Sequence, residues 1–599
     1  MNIREFFSKN NGVFVVILAL LATAGLYISL LKFLGIPYLQ TFAGNNILWV
    51  LVFVVFVLLI RQAIKVTDNR IRVFSLIAAA VISWIQIVGH SLHMYSDLRL
   101  LDESFMHIVQ NGMEFVGLAV LFYSCFVVVY DYLTKRTFED SGQWDNALFG
   151  NTKKAFFLIW LIIFLVWIPY FLIYYPGVLT PDSIYQIKQA IDVSVLDNGH
   201  PIFHTFIIGI CMRIGEAFGG MMAGVAIYSI LQMVLMAGIF SFSIYYMGKR
   251  DISRDLRVLT FIFFAFFPVH AMYSITMWKN ILFSGVMVLF TIAIIEIIRK
   301  PEQFVTDKKY MAYFIITALL VMILQNNGIH VLILSFIIFI IFMKALRKKV
   351  LFVFIIIVLA NIIYTGPVYY ALDVHRMPPG YAITDVSVQQ FARVVIERGD
   401  DLTEEEFSSI HRFLNFEDAD DLRMIYNPRL ADPIRKRFNN EFYAENTLLF
   451  YSTWMKMSLR FPRVFMESYL ANSYGYWYPQ VKPLLVRTTI HNNKFGLERQ
   501  SILSPEDYNA FNAIGLHEMH KIPIVSMLYS IGFFTILLLL TCILLIIKRQ
   551  YRLLLACVPV VFIFITTTVS PVFAEYRYVY SMILCLPILA SFTLQAKRE

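Results

Sequence analysis

Apolar stretches of about 20 residues recur from one end of this 599-residue chain to the other, and they limit its fold more than any other feature. Each stretch, as a helix, is long enough to cross a bilayer core of roughly 30 Å. Only 15% of the residues are charged, against roughly 25% in soluble proteins. Because lipid leaves backbone polar groups to be satisfied within each helix, the sequence predicts an α-helical polytopic protein of the cell membrane.

About 14 transmembrane helices are predicted. They lie at 12–34, 46–61, 73–91, 112–133, 155–175, 221–247, 256–272, 280–298, 310–326, 328–346, 350–370, 523–547, 552–570 and 578–595. A further apolar run, 201–218, is short, begins with a proline and carries Arg213 and Glu216. Because a charge near a span centre costs on the order of 2.5–3.5 kcal/mol on insertion scales, this run is expected to lie in the interface.

The basic connections predict the orientation, because cytoplasmic loops carry an excess of Lys and Arg. Arg4 and Lys9 place the N-terminus in the cytoplasm, and the "AKRE" tail places the C-terminus there too. The other basic connections are 61–72, 135–154, 248–257, 298–309, 344–349 and 547–552. These assignments agree only if 201–218 does not cross the membrane; the alternative is that the rule fails at one loop.

The polar segments divide the chain into four parts. We expect a four-span module at 1–150, a transmembrane core at 151–370 with a first outer loop at 176–220, a mostly helical extracellular domain at 371–522, and a three-span module at 523–599. The net charge of +9 is spread over short connections. It therefore indicates membrane orientation and no nucleic-acid partner.

The first outer loop contains a predicted interfacial helix, "TPDSIYQIKQAIDVSV". Thr180 suits its N-cap, Pro181 its first position and Asp182 its first turn. The apolar side at helical spacing is Ile184, Ile187, Ile191 and Val195, and the side expected to face away is Ser183, Gln186 and Gln189. Such a pattern is typical of a helix lying in the membrane interface.

Asp182 and two histidines are the first candidates for chemistry. Asp182 either stabilises the helix dipole or acts as a general base or metal ligand at the outer face. His200 and His204 are four residues apart, so they share a face if the next helix starts that early. They either hydrogen-bond neighbouring groups or bind phosphate or sugar hydroxyls.

Two later outer loops hold further polar residues. His270, Trp278 and Lys279 form either an interface anchor or a grip on an anionic headgroup, and an external lysine runs against the orientation rule. Glu575 and Arg577, ahead of Tyr578, form either an internal pair or a phosphate site. Arginine suits the second role because its guanidinium binds phosphate bidentately.

Two motifs carry a family resemblance. The first loop contains a "PG…DS…Q…HP…H" pattern made of Pro176, Gly177, Asp182, Ser183, Gln186, His200, Pro201 and His204. The second loop contains a "WKD"-like pattern made of Trp278, Lys279 and Asn280. The chain thus resembles the GT-C superfamily of polyprenyl-phosphate-sugar-dependent glycosyltransferases, and within it an uncharacterised Gram-positive multi-pass group.

The resemblance implies a GT-C-like core in which Asp182 activates the acceptor or coordinates a metal. The lipid-linked sugar donor and a glycan, lipid or protein acceptor would be bound by Gln186, His200, His204, His270, Trp278, Lys279, Asn280, Glu575, Arg577 and Tyr578. Family members often have a second acid where this chain has Asn280, so a divalent cation, Mg or Mn, is left open. The expected reaction inverts the sugar's stereochemistry.

Two other classes of function compete with this one. A transporter or flippase of a lipid-linked glycan would have ionisable residues within facing spans and two related halves. The sequence has few mid-span charges and no clear half-repeat. A non-catalytic cell-envelope scaffold is the third class, and Asn280 keeps it open.

Overall fold

The computed structural model describes residues 11–32, 44–136, 138, 148–377, 384–513, 519, 522 and 524–598. Arg4, Lys9 and the end of the first predicted span, 33–34, lie outside these residues. The described chain is nearly all helical, with isolated β-bridges and no strand.

The N-terminal module consists of four long helices and one short one. They are α1 (Asn11–Leu31), α2 (Asn46–Lys65), α3 (Asn69–Tyr95), α4 (Arg99–Asp102) and α5 (Phe105–Lys135). Asn45 and Asp68 cap α2 and α3 by accepting backbone N–H bonds, as these residue types do at helix starts. Glycines let α1 and α5 touch, because a Cβ on Gly25 would lie 2.6 Å from the Gly117 Cα.

The core follows, and its helices differ widely in length. They are α6 (Lys153–Ile173), α7 (Pro181–Ile191), α8 (Ile202–Phe218), α9 (Gly220–Lys249), α10 (Arg254–Phe266), α11 (Pro268–Ser274), α12 (Lys279–Arg299), α13 (Pro301–Thr306), α14 (Lys308–Leu324), α15 (Gly328–Phe342), α16 (Arg347–Ile363) and α17 (Tyr369–Ala371). A π-helical turn, Tyr364–Val368, joins α16 to α17. Helix α12 is central, with most of its side chains buried.

The polar segment after α17 folds into a helical domain with its own apolar core around Phe391, Phe413 and Phe450. We call it the outer domain after its predicted location. Its helices are α18 (Thr384–Arg398), α19 (Glu404–Phe413), α20 (Ala419–Ile425), α21 (Asp432–Arg435), α22 (Asn440–Glu445), α23 (Thr447–Arg460), α24 (Pro462–Ser473) and α25 (Pro505–Asn512). The chain ends with α26 (Val525–Leu528), α27 (Ile531–Ile547), α28 (Leu554–Val569) and α29 (Tyr580–Gln595).

Eight helical segments of the described chain are long and apolar enough to cross a membrane: α1, α2, α3, α5, α6, α9, α12 and Lys344–Ala371, which contains α16 and α17. The predicted span 256–272 is instead the pair α10 and α11, bent by 55°, which makes a ninth if it counts as one span. Pro268 begins the second half of the pair, and proline interrupts the helical hydrogen-bond ladder. Helices α15, α27, α28 and α29 are apolar but shorter. The number 14 therefore stays a prediction.

The helix assembly has two chemically different ends. At the basic end, Arg598 pairs with Asp68, and the Arg299 guanidinium donates to Gln595 Oε1 at 3.2 Å. The loops that contain Asp182, Lys279 and Arg577 meet at the opposite end, which we call the site end.

Helix α9 runs from Lys249 at the basic end past the site end. Its Ser229 Oγ donates to the Pro176 carbonyl at 2.9 Å, so the turns before Ser229 project beyond the end of α6. Helix α8 packs against these turns, with Gly215 against Gly224 near its end and His204 against Tyr228 near its start. Both ends of α8 therefore lie on the site side of the assembly.

A group of ion pairs, which we call the clamp, ties the outer domain to the N-terminal module. Arg463 donates from both terminal nitrogens to the Asp102 carboxylate at 2.8 and 2.9 Å. Glu467 accepts from Arg463 Nε at 2.9 Å, from Arg393 Nη2 at 3.1 Å and from the Leu98 N–H at 3.3 Å. Every oxygen of Glu467 is thus satisfied.

Candidate functional site

The first two of the loops predicted to be outer are joined by backbone and side-chain hydrogen bonds. The Val178 N–H donates to the Ile275 carbonyl at 3.0 Å, and the Met277 N–H donates to the Val178 carbonyl at 3.1 Å. Ser183 Oγ donates to the Met277 carbonyl at 2.8 Å, and Trp278 Nε1 donates to Thr180 Oγ1 at 2.8 Å. These bonds hold the start of α7 beside the start of α12.

Helix α7 begins as predicted, with Thr180 as N-cap and Pro181 at its first position. The predicted orientation of its polar side is wrong, because Ser183, Gln186 and Gln189 are buried while Ile191 is 47% exposed. The buried polar side chains find hydrogen-bond partners across the fold, such as the Met277 carbonyl for Ser183. The helix ends at Ile191, so Val195 belongs to a following 3₁₀ turn.

Asp182 faces Arg577 across the site. Arg577 Nη1 donates to Asp182 Oδ2 at 2.6 Å. The Asp182 side chain keeps 34% of its surface exposed, and its Oδ1 accepts no hydrogen bond from the described residues. One oxygen is thus held by a cation and the other is open to an incoming group.

Arg577 joins several site residues. Its Nε donates to Glu575 Oε2 at 2.9 Å, and its Nη2 lies 3.4 Å from the Tyr578 hydroxyl oxygen. The guanidinium carbon sits 4.7 Å from the centre of the Trp278 ring and 5.0 Å from that of Tyr578. Ion pairs and cation–π contacts together fix the plane of this cation.

A second cation stands near Asp182. Lys279, the first residue of α12, places its Nζ 2.9 Å from His200 Nδ1. Burial, followed by the Lys279 charge, lowers the pKa of His200 to about 4. The imidazole is therefore neutral at pH 7, and its Nδ1 accepts a hydrogen bond from Lys279 Nζ.

The pKa values of the two carboxyl groups of the site, Asp182 and Glu575, are shifted in opposite directions. Burial acts to raise the pKa of Asp182, but the charges of Arg577 and Lys279 hold it below its ordinary value of 3.8. Burial raises the pKa of Glu575 above its ordinary value, although Arg577 and Arg487 oppose the shift. Such divergence within one site is how two carboxyl groups take different roles in catalysis.

Three predicted binding residues, Gln186, His204 and His270, lie in buried hydrogen-bond networks that do not include Asp182, Lys279 or Arg577. His204 places Nδ1 3.1 Å from Gln186 Oε1 and Nε2 2.6 Å from the Tyr228 hydroxyl. His270 places Nδ1 2.7 Å from the Tyr580 hydroxyl, among phenylalanine rings. The condition under which His200 and His204 would share a helical face is not met, because α8 starts at Ile202, after His200.

Asn280 stands at the second position of α12 and is 3% exposed. Its Oδ1 has no hydrogen-bond partner among the described residues. The amide therefore supplies neither a charge nor an exposed oxygen to the cluster around Asp182.

The outer domain adds a carboxyl group that sequence reasoning missed. Asp385, in the first turn of α18, pairs with Arg435 and acts electrostatically on Tyr578. Burial, and to a lesser degree Asp432, raises the pKa of Asp385 to about 6 despite Arg435. Asp385, like Asp182, lies in the first turn of a helix. That shared position is the feature of the sequence that could have singled it out.

The described residues do not fit a metal site. Within them, no group of three or more His, Cys, Asp or Glu side chains is placed to hold a metal ion. Beside Asp182 the position of a cation is taken by the Arg577 guanidinium. The metal role predicted for Asp182 therefore lacks companion ligands in the part of the chain that the structure describes.

The fold and its apolar helices define an α-helical membrane protein. The chain belongs to DUF6020, a family of unknown function, whose model matches residues 190–599. The match includes His200, Lys279, Glu575 and Arg577, and it starts after Asp182. No curated protein and no solved structure matches the chain.

Proposed function

We propose that this protein is a membrane glycosyltransferase of GT-C type, which moves a sugar from a polyprenyl-phosphate donor to an acceptor in the cell envelope. The observation that carries the proposal is Asp182, ionised and with one open oxygen, between the cations Arg577 and Lys279. A base for a hydroxyl proton and positive charge for a phosphate leaving group are what such a transfer requires.

In the proposed reaction, Asp182 Oδ1 takes the proton of the acceptor hydroxyl. The acceptor oxygen attacks C1 of the sugar, and the bond from C1 to the phosphate oxygen breaks. The electron pair leaves on the polyprenyl phosphate, whose added negative charge is stabilised by Lys279 and Arg577. A single displacement inverts the configuration at C1.

The orientation belongs to the same proposal. Because the basic end carries Arg299, Arg598 and their neighbours, we place it in the cytoplasm together with both termini. The site and the outer domain then face outward, and α8 does not cross the membrane. A cysteine at Gly219, between α8 and α9, would be labelled by an impermeant maleimide from outside intact cells. Labelling only after the cells are opened would contradict this orientation.

The transfer is tested with purified protein in nanodiscs and a panel of polyprenyl-phosphate sugars. Wild-type protein should release polyprenyl phosphate and glycosylate an envelope acceptor. Asp182→Asn should lower turnover by roughly 10²–10⁴-fold, which is the usual contribution of a general base. Asp192→Asn is the matched control, because Asp192 caps the turn after α7 and is exposed.

Three results would count against the proposal. Turnover of no donor would remove the enzymatic function. Equal rates for Asp182→Asn and wild type would remove Asp182 as the base. Movement of a lipid-linked glycan across the bilayer without release of polyprenyl phosphate would identify a flippase.

A further inference from the structure

The four long helices of the N-terminal module enclose a cavity of about 380 Å³ toward the basic end. The cavity is lined by Phe14, Leu18, Ile60, Ala63, Ile64, Arg72, Val120, Tyr123 and Ser124. Its walls are mainly aliphatic and aromatic. The Ser124 hydroxyl donates to the Val120 carbonyl of its own helix at 2.8 Å, so its proton is already used.

Among the described residues that line the cavity, Arg72 is the only charged one. Its Nη2 donates to the Ile64 carbonyl at 3.4 Å, and its Nε is buried with no partner among the described residues. Asp68, the acid of the same connection, pairs with Arg598. Arg72 is half-buried, and a guanidinium partly removed from water is unfavourable without an anion. Among the described residues of the cavity, none supplies a negatively charged partner for Arg72.

The nearby Arg70, in contrast to Arg72, has hydrogen-bond partners outside the N-terminal module. Arg70 donates to the Tyr551 hydroxyl at 3.0 Å and to the Ile546 carbonyl at 3.3 Å, which ties α3 to the end of α27. Arg72 points instead to the space between α1, α2 and α5. The cavity is apolar, lies between helices and has one cation, Arg72, near the basic end of the assembly. These features match a molecule with an acyl chain and a phosphate.

We propose that this cavity binds one anionic phospholipid from the leaflet at the basic end, with an acyl chain among Leu18, Ile60 and Val120 and the phosphate on Arg72. The guanidinium suits a phosphate because it donates two parallel hydrogen bonds. Basic groups between helices at the cytoplasmic side are recognised sites for anionic lipid headgroups. The site is at the opposite end from Asp182 and does not depend on the proposed transfer.

Native mass spectrometry of the purified full-length protein tests the site with three probes: phosphatidylglycerol, phosphatidylcholine and inorganic phosphate. One molecule of phosphatidylglycerol should bind per protein, with an affinity at least tenfold higher than that of phosphatidylcholine. An excess of inorganic phosphate should not displace it. Equal binding of the two lipids would overturn the role of Arg72. Displacement by inorganic phosphate would overturn the role of the apolar cavity.

Two variants separate the headgroup from the chain. Arg72→Gln should remove the preference for phosphatidylglycerol, while Ala63→Leu, which fills the cavity, should weaken both lipids with Arg72 intact. Arg61→Gln is the matched control, since Arg61 is an exposed arginine near the same end of α2. If neither variant changes lipid binding, or if Arg61→Gln changes it as much, the proposal is wrong.

Discussion

Two ion networks at the site end use the same residue types for different purposes. The clamp joins Arg393, Arg463 and Asp102 around Glu467, whose side chain is 7% exposed and whose oxygens are all satisfied. In the site, Arg577 joins Asp182 to Glu575, but Asp182 is 34% exposed.

The difference lies in what each carboxylate has left to offer. Glu467 has no free oxygen, so it can only hold the outer domain in place. Asp182 has an open oxygen and a lowered pKa, so it is charged and available at neutral pH. An arginine–carboxylate pair therefore indicates a function only when the hydrogen bonds accepted by each carboxylate oxygen are known.

The structural role of the clamp is tested by removing its central carboxylate. Glu467→Ala should lower the free energy of unfolding by about 3 kcal/mol, because it leaves the buried Arg393 with weaker pairing. Thermal unfolding in detergent should show a lower midpoint, while turnover measured well below that midpoint stays near wild type. Arg423→Ala, which breaks an exposed pair with Asp420, is the control. Loss of turnover without loss of stability would make the clamp part of the site.

The opposite outcome is expected for Arg577→Gln. Turnover should fall by roughly 10²–10³-fold, as when a preorganised donor to developing charge is lost. The charge of Arg577 lowers the pKa of Asp182, so its loss should move the acid limb of the pH profile of kcat/KM upward. Arg577→Lys should keep part of both effects. If Arg577→Gln lowers only the thermal midpoint, the site arginine is structural like those of the clamp.

A smaller effect is expected at His200. Its pKa is about 4 in the fold against an ordinary 6.5, so the unfolded chain binds more protons between these values. Stability is therefore present above pH 6.5 and is lost as the pH falls toward 4. His200→Gln should reduce the drop in thermal midpoint between pH 6.5 and pH 4.5. An unchanged drop would show that His200 is not part of the acid sensitivity.

Much of the fold could be predicted because it rests on local rules. The length of each apolar run predicted the long helices, and Thr180 with Pro181 predicted the start of α7. The facing of α7 could not be predicted, because the group that accepts from Ser183 is the Met277 carbonyl, 94 residues away. A polar side chain looks solvent-facing in a sequence when its partner is remote.

The candidate site was predictable as residues and not as an arrangement. Asp182, Lys279 and Arg577 each stood out as polar groups in predicted outer loops, but Asp182 and Arg577 are 395 residues apart. The sequence does not distinguish His204 and His270 from His200. They differ only in packing, since His204 and His270 bind buried tyrosine hydroxyls. Asp385 lies in a domain whose docking no local pattern indicates.

The two halves of the clamp are synthesised at different times. Asp102 and Arg463 are 361 residues apart, so at roughly 5–20 residues per second the ribosome makes one roughly 20–70 s after the other. The N-terminal module has time to insert and assemble before its partner domain exists. The loop around Leu98 and Asp102 is therefore made long before the domain that contacts it.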